Sequence, residues 1–383
     1  MSRWRVARLG EVCNFEKEQD IHTDLPYVGL ENIESGTGRF LGTTNAVCVK
    51  SSTFRFSPEH VLYRRLRPYL NKVLLPDFEG HCSTEIFPIR PDPAVSREYL
   101  FHWLSMDATV KSIDATSTGA RMPRASMNAV LGFQIPVPPL AEQRRIVAIL
   151  DEAFDGIATA KANAEKNLQN ARELFETYLG ATFSQEGEVV QLSKCATEIS
   201  DGDHAPPPKS PTGIPFITIS NVDKETRRID FNDTFTVSRE YFQALKPHRK
   251  PRRGDVLYTV TGSFGIPVLV EDAVDFCFQR HIGLIRPTPD VDSRWLMYAL
   301  LSPQVGAQAE AGATGTAQRT VSLGVLRCMT VPRIGVDEQR RIAAQVDAVS
   351  DAIARLKDIA RAKSAALDEL KKSLLHQAFS GAL

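Results

Sequence analysis

The chain contains a long internal copy of itself. "PPLAEQRRIVAILDEAFDGI" runs from Pro138 to Ile157, and "VDEQRRIAAQVDAVSDAI" from Val336 to Ile353. At a constant offset of 196, Glu142–Ser184 aligns without a gap onto Glu338–Ser380, and 17 of the 43 pairs are identical. The identities include Asp151/Asp347, Asp155/Asp351, Ile157/Ile353, Leu174/Leu370 and Phe183/Phe379. A lone EQRRI would mean little, since charged helix starts are common. A gapless match of this length is a duplication, so the fold has to be built twice.

Both copies open helical patterns. In the second, Val346, Val349, Ile353, Leu356, Ala360, Lys363, Leu367, Leu370 and Leu374 recur in steps of three and four. The first offers Leu150, Ala153, Ile157, Ala160, Ala164, Asn167, Ala171, Leu174 and Tyr178 in the same slots. This reads as a heptad seam with one polar slot per helix, Asn167 and Lys363. The stretch from Glu142 to Gly180 would span roughly 58 Å as a helix. Pro138–Pro139 and Pro332 mark where extended chain gives way to helix.

The preceding segments match more weakly. "LPYVGLENI" (Leu25–Ile33) pairs with "IPFITISNV" (Ile214–Val222), and "VLYRRLRPYLNKVLL" (Val61–Leu75) with "VLYTVTGSFGIPVLV" (Val256–Val270). "FPIRPDPAVSREYLFHWL" (Phe87–Leu104) pairs with "GLIRPTPDVDSRWLMYAL" (Gly283–Leu300), and "STGARMPRAS" (Ser117–Ser126) with "ATGTAQRTVS" (Ala313–Ser322). They are short β-rich runs broken by Gly, Pro, Asn and Asp. The expected fold is mixed α/β: a domain at 1–139, a long helix at 140–184, a second domain at 185–335 and a second long helix at 336–383.

Composition limits the function. Of 383 residues, 43% are apolar and 24% charged, which is globular, and the length suits two or more units. No apolar run approaches the ~20 residues of a membrane span. The opening MSRWRVARLGEV lacks a signal peptide's apolar stretch, so a cytoplasmic protein is expected. Cys13, Cys48, Cys82, Cys195, Cys277 and Cys328 form no CxxC pair and partly follow the repeat, as core thiols do. Net charge is zero, with 46 basic and 46 acidic residues, which argues against a general nucleic-acid binder but allows a local basic surface.

Catalytic signatures are missing. "VPPL" and "APPP" lack the amide or carboxylate and the aromatic of an amino-methyltransferase (N/D)PP(Y/F) motif. No GxxxxGK[ST] loop appears. "DELK" (Asp368–Lys371) sits inside the second helical pattern, no His pair has zinc spacing, and "TGSFG" (Thr261–Gly265) reads as a tight turn.

The Pro-rich lead into EQxRI and a long helix, written twice as "VPVPPLAEQRRI" and "VPRIGVDEQRRI", resembles the specificity subunits of type I restriction–modification systems. "ISDGDHAPP" (Ile199–Pro207) and "LRPYLNK" (Leu66–Lys72) resemble family segments too, and the likeness covers essentially the whole chain. The second lead departs from the double proline, with Pro332–Arg333 and two extra residues before Glu338. The resemblance implies two target recognition domains, each reading half of a split double-stranded DNA site. It implies two long antiparallel helices, a coiled-coil spacer, docking two methyltransferase subunits and, through them, restriction/translocase subunits. It implies a non-catalytic chain with no cofactor of its own, S-adenosylmethionine belonging to the methyltransferase. The outer faces starting at Glu142, Gln143, Arg144, Arg145 and Ile146, and at Glu338, Gln339, Arg340, Arg341 and Ile342, are the expected partner surface. A recognition subunit of a related defence system, or a coiled-coil adaptor without sequence preference, are the alternatives.

The basic residues cluster. Arg64, Arg65, Arg67 and Lys72 lie together, as do Lys246, Arg249 and Lys250 in "KPHRKPRR"; Arg121 and Arg124 sit in the first Gly-containing loop, with Gln318 and Arg319 in its counterpart, and Arg227 and Arg228 add a pair. Any one cluster could be a solvated loop, although DNA affinity needs phosphate neutralisation somewhere. The aligned halves are more informative. Val61-Leu62-Tyr63 matches Val256-Leu257-Tyr258; then Arg64 faces Thr259, Arg65 faces Val260, Arg67 faces Gly262 and Lys72 faces Pro267. Tyr69 faces Phe264, beside Ser263. One scaffold presenting two donor sets implies unlike half-sites and a non-palindromic target. Arg67 and Lys72 could equally belong to the scaffold.

Overall fold

The computed structural model describes residues 4–21, 24–43, 49, 51–184, 187–204, 207–316 and 318–383. Chain contacts divide the protein into two units, Met1–Ala164 with Arg361–Leu383, and Glu165–Ala360. The boundary cuts each long helix near its middle instead of at the helix ends.

In the first unit, Val61–Arg64 is buried on both faces, which its run of large apolar residues requires, and it lies inside a sheet. That sheet orders Cys13–Phe15, Ile86–Pro91, Val61–Arg64 and Val73–Leu74, all antiparallel, with Val61 opposite Ile89. A second sheet orders Gln19–Asp20, Thr53–Phe56, Gly80–Cys82 and Tyr27–Val28, the last pair parallel. Arg5–Arg8 pairs antiparallel with Gln134–Val137, so the start of the domain is tied to the strand that leads into the first long helix. Ser96 caps the helix Arg97–Ser105, its hydroxyl accepting from the Tyr99 amide.

The second unit repeats the plan. Its main sheet orders Ala196–Asp201, Ile282–Pro287, Val256–Thr259 and Pro267–Leu269, with Val256 opposite Ile285. Phe235–Val237, Ile214–Ile217 and Cys277–Phe278 form the smaller sheet, and Val189–Gln191 pairs with Thr330–Pro332. Asp292 caps Ser293–Leu301 where Ser96 acts in the first unit.

The long helices are Leu140–Thr182 and Val336–Ser380. In the first unit they run antiparallel: Arg145 donates to the Leu383 carbonyl at 2.8 Å, and Lys161 reaches Asp368 at 2.5 Å. Ile146, Leu150, Leu375, Ala378 and Phe379 join the same core as Tyr99 and Leu100, with the Tyr99 and Phe379 rings 4.9 Å apart. In the second unit Leu179 and Phe183 share a core with Ala343 and Val346, and Arg172 and Lys357 both pair with Glu225. Antiparallel pairing is thus built within each unit from one half of each helix.

The seam departs from the expected heptads. Asn167, Leu174, Leu356, Lys363 and Leu370 are exposed, and the less exposed positions are Leu168, Phe175, Lys357, Ser364 and Lys371. The inward positions 157, 160, 164, 168, 171 and 175 step by three, four, four, three and four. Spacing of eleven residues per three turns stays close to the natural helix period, whereas strict heptads drift by ~20° each unless the helices supercoil. The polar residues expected inside the seam therefore turn outward.

EQRRI is written twice because it does the same structural work twice. Gln143 is fully buried; its Oε1 accepts from the Ser96 amide at 2.8 Å, and its Nε2 donates to the Ala94 and Pro138 carbonyls, each at 2.8 Å. Gln339 accepts from the Asp292 amide at 2.7 Å and donates to Ile334 O at 2.9 Å and Asp290 O at 3.4 Å. Each glutamine fastens the start of a long helix to the loop that begins a domain helix.

Candidate nucleic-acid interface

The candidate residues gather where three segments meet at one end of the main sheet. In the first unit the Arg65 amide donates to the Glu85 carbonyl at 3.0 Å, the Ala125 amide to the Arg65 carbonyl at 3.0 Å and the Arg67 amide to the Pro123 carbonyl at 2.7 Å. In the second unit Val260 donates to His281 at 2.9 Å, Val321 to Val260 at 2.8 Å and Gly262 to Arg319 at 3.0 Å. The backbone frame is the same. Arg67 has a positive φ of 53° and its counterpart Gly262 one of 72°. A left-handed arginine costs on the order of 1–2 kcal/mol, a strain the glycine does not carry.

The side chains in this frame differ completely. Arg65 Nε donates to Glu85 Oε2 at 2.9 Å and Arg124 Nε to Glu85 Oε1 at 2.7 Å. Burial pushes the Glu85 pKa up, but the hydrogen bonds from Arg124 and Arg65 outweigh it and hold the carboxylate below its ordinary range. Arg65 also lies over the Phe87 ring at 5.2 Å, with Lys17 at 5.1 Å from the same ring. In the second unit the matched positions are Val260, His281 and Thr320. There a cavity of about 290 Å³ is lined by Asp201, Thr261, Arg280, His281, Gln318 and Thr320, among others.

Arg64 is buried, and its Nε has no hydrogen-bond partner among the described residues. Burial first, then the charge of Arg67, pull its pKa below the ordinary guanidinium value. Lys72 donates to the Leu30 carbonyl at 2.8 Å, and burial followed by the Arg64 charge lowers its pKa. Arg67, Tyr69 and Arg121 are exposed.

The other sequence candidates divide into committed and open groups. Arg227 is turned toward the long helices, over the Phe175 ring at 5.9 Å and 3.4 Å from Ser350 Oγ, with burial lowering its pKa; Arg228 beside it is exposed. Arg249 faces Asp201 at 3.6 Å and Asp203 at 3.5 Å, while Lys250 donates to the Gln243 carbonyl at 2.8 Å and covers the Phe242 ring. Lys246 is exposed, as are Ser263 and Gln318. Arg319 lies over the Phe264 ring at 5.6 Å and is ion-paired with Glu310. Gly202, in "ISDGDHAPP", has no room for a side chain: a Cβ there would fall 1.9 Å from the Phe278 carbonyl oxygen. Residues 205 and 206 of that segment lie outside the described residues.

The expected partner surface also needs correction. Gln143 and Ile146 are fully buried and Gln339 is 4% exposed, so they hold the chain together and cannot meet another protein. Ile342 is partly buried against the core of the second unit. Glu142 and Arg145 pair at 2.8 Å and Glu338 and Arg341 at 2.5 Å, while Arg144 and Arg340 project outward. Sequence reasoning missed Glu85 and His281. The hint was available, because both stand one position before a matched β-run.

Among the described residues no group of acidic, His and Cys side chains could hold a metal, and no helix is long and apolar enough to cross a membrane. Cys13, Cys82, Cys195 and Cys277 are buried, Cys328 is exposed, and Cys48 lies outside the described residues.

A duplicated α/β module, each copy paired with halves of two long helices and each presenting a different polar set on one backbone frame, defines a class of two-part recognition proteins. Comparison with known proteins shows what the chain is similar to. The type I restriction modification DNA specificity domain matches residues 1–169. The EcoKI specificity subunit of Escherichia coli K12 is 24% identical, the match covering 99% of this chain and 89% of that protein. The EcoDI specificity subunit of Escherichia coli is 24% identical over 48% of this chain, and the chain spans only 42% of that relative's length. Among solved structures, the HsdS subunit from Thermoanaerobacter tengcongensis superposes with a TM-score of 0.66 at 24% identity, over 99% of this chain and 97% of that one. A chain from a study of complex assembly and conformational transition of the type I R-M system reaches 0.80 at 24% identity, over 99% and 98%; these two likenesses concern the fold. Over nearly its whole length the chain is similar to a specificity subunit of a type I restriction–modification system, and its first 169 residues match that family's DNA specificity domain.

Proposed function

We propose that the protein selects a bipartite, non-palindromic site on double-stranded DNA, each unit reading one half-site, and delivers it to methyltransferase subunits. One observation carries this: the same three-segment frame holds Arg65, Glu85 and Arg124 in one unit and Val260, His281 and Thr320 in the other. Equal scaffolds with unlike hydrogen-bonding groups suit two different base sequences. Arg67, Arg121, Arg228 and Lys246 are the exposed cations suited to phosphate contacts. Two methyltransferase subunits dock on the long helices, around Glu142, Arg144, Arg145, Glu338, Arg340 and Arg341. Leu174, Leu356 and Ile359, at 68%, 48% and 63% exposure, supply further apolar contact surface there. S-adenosylmethionine and the methyl transfer belong to those partners, restriction/translocase subunits join through them, and the assembly works in the cytoplasm.

The test is to exchange residues 1–139 for the first domain of another family member and sequence the methylated motif in cells that also carry the methyltransferase. One half-site should change, with the other half-site and the spacer kept. Alteration of both half-sites would overturn the assignment of one half-site to each unit.

A further inference from the structure

Arg65 is held on two sides. Its Nε edge is taken by Glu85 Oε2 at 2.9 Å, and its guanidinium plane lies over the Phe87 ring at 5.2 Å. Among the described residues its two terminal nitrogens make no hydrogen bond, and the side chain remains about one-third exposed, at 32%. That leaves the end of the fork available, and the two terminal N–H groups are the geometry that meets O6 and N7 of guanine. Arg124 spends its Nε on the other Glu85 oxygen at 2.7 Å and a terminal nitrogen on the Met122 carbonyl at 3.3 Å. It therefore braces Glu85 more than it reaches outward. Glu85, at 18% exposure, is sheltered between the two arginines. A carboxylate beside an arginine weakens attraction to phosphate, because it cancels charge. It weakens a directional contact to a base edge less, because the acceptors there are uncharged and the contact depends on orientation.

We propose that Glu85 is the positioning residue for half-site selection in the first unit: it locks Arg65 so that the free end of its guanidinium reads one guanine in the major groove, with Arg124 as the brace. This rests on the DNA-recognition reading above and deepens it. The matched seat in the second unit holds Val260, His281 and Thr320 and cannot form this arrangement, so the corresponding base pair of the second half-site is read by other groups.

The experiment uses the full chain in complex with its methyltransferase and a pool of DNA duplexes randomised across the target. Wild type, Glu85→Gln and Arg65→Lys are compared for the sequences retained and for the salt dependence of binding. Glu85→Gln keeps the size of the side chain but leaves one acceptor oxygen for two arginines and removes the charge, so the lock on Arg65 is loosened. It is expected to lower the preference at a single G·C pair of the first half-site by roughly tenfold or more, to leave the second half-site unchanged, and to strengthen binding to unrelated DNA. Arg65→Lys keeps the charge but loses the fork, and should relax the same position with an unaltered salt slope. If Glu85→Gln proves unfolded by its melting curve, Glu85→Asp, which keeps the charge but withdraws it from Arg65, takes its place with the same expected outcome. Retention of full selectivity at every position in the folded variants overturns the proposal. So does a uniform loss of affinity for all sequences, which would make Arg65 a phosphate contact. A wild-type complex that selects no sequence overturns the DNA-recognition reading itself, an outcome distinct from a selective wild type whose variants are equally selective.

Discussion

His102 Nε2 lies 2.8 Å from Asp151 Oδ1, joining the domain helix of the first unit to the first long helix. The counterparts 196 positions on are Tyr298 and Asp347, whose hydroxyl–carboxylate bond is 2.6 Å long. The duplication has kept the tie and changed its donor. Asp347 also receives Arg294 at 3.2 Å, and Tyr298 is pushed well above the ordinary phenol range by burial first and then by its bond to Asp347.

The two ties should therefore differ in strength. Asp347→Ala strands a buried hydroxyl and is expected to cost about 1–3 kcal/mol, with Tyr298→Phe nearer 0.5–1.5 kcal/mol. Asp151 is 58% exposed, so water replaces it more readily and Asp151→Ala should cost less. Denaturant unfolding of the three variants gives the order; an equal or greater loss for Asp151→Ala would contradict it.

The EQRRI segments predict a separation of roles. Gln143→Ala takes away the partner of the Ser96 amide and of the Ala94 and Pro138 carbonyls, at a partly buried site, and is expected to lower stability by about 1–3 kcal/mol. Arg144→Ala and Arg340→Ala should stay within ~0.5 kcal/mol of wild type but reduce co-purification with the methyltransferase. Melting temperature and pull-down yield, measured on the same preparations, check both parts.

The buried thiols give a chemical test. Desolvation raises Cys13 and Cys277 to about 12 and Cys195 to about 11, from an ordinary thiol value of 9.0. These acids hold their protons more tightly when folded, so their contribution to stability is complete below pH 9 and falls as pH rises from 9 toward those values. At neutral pH a maleimide should label Cys328 promptly, while Cys13, Cys82, Cys195 and Cys277 react only after denaturation, as peptide mass mapping would show.

The doubling, the β-runs around Val61-Leu62-Tyr63 and Val256-Leu257-Tyr258, and the starts of both long helices are legible in the sequence, because each rests on local pattern. What sequence could not give is pairing at a distance. Arg65 and Arg124 look like free cations until Glu85, 20 residues from one and 39 from the other, is brought between them. Gln143 looks like a surface residue until the loop at Ala94–Ser96 closes over it. The heptad reading failed at Asn167 and Lys363 for a different reason: with alanine on several neighbouring positions, a seven-residue and an eleven-residue period fit the same letters.

Charge accounting separates an unpaired surface cation from internal ion pairs in the second unit. The Lys246 side chain is exposed and makes no hydrogen bond or ion pair among the described residues, whereas Arg249 is shared between Asp201 and Asp203 and stands at 30% exposure. Lys246→Ala should therefore weaken binding to specific and unrelated duplexes alike and reduce the slope of log K against log salt by up to ~0.9, the value for one phosphate contact on B-DNA. Arg249→Ala removes a cation whose charge is already offset by two carboxylates. Its effect should appear in stability, since Asp201 and Asp203 lose a shared partner, with little change in the salt slope. Binding measured at several salt concentrations, together with melting curves, distinguishes the two. A larger change in slope for Arg249→Ala than for Lys246→Ala would mean that DNA draws Arg249 out of its ion pairs, and Lys246 would then be a solvated surface charge.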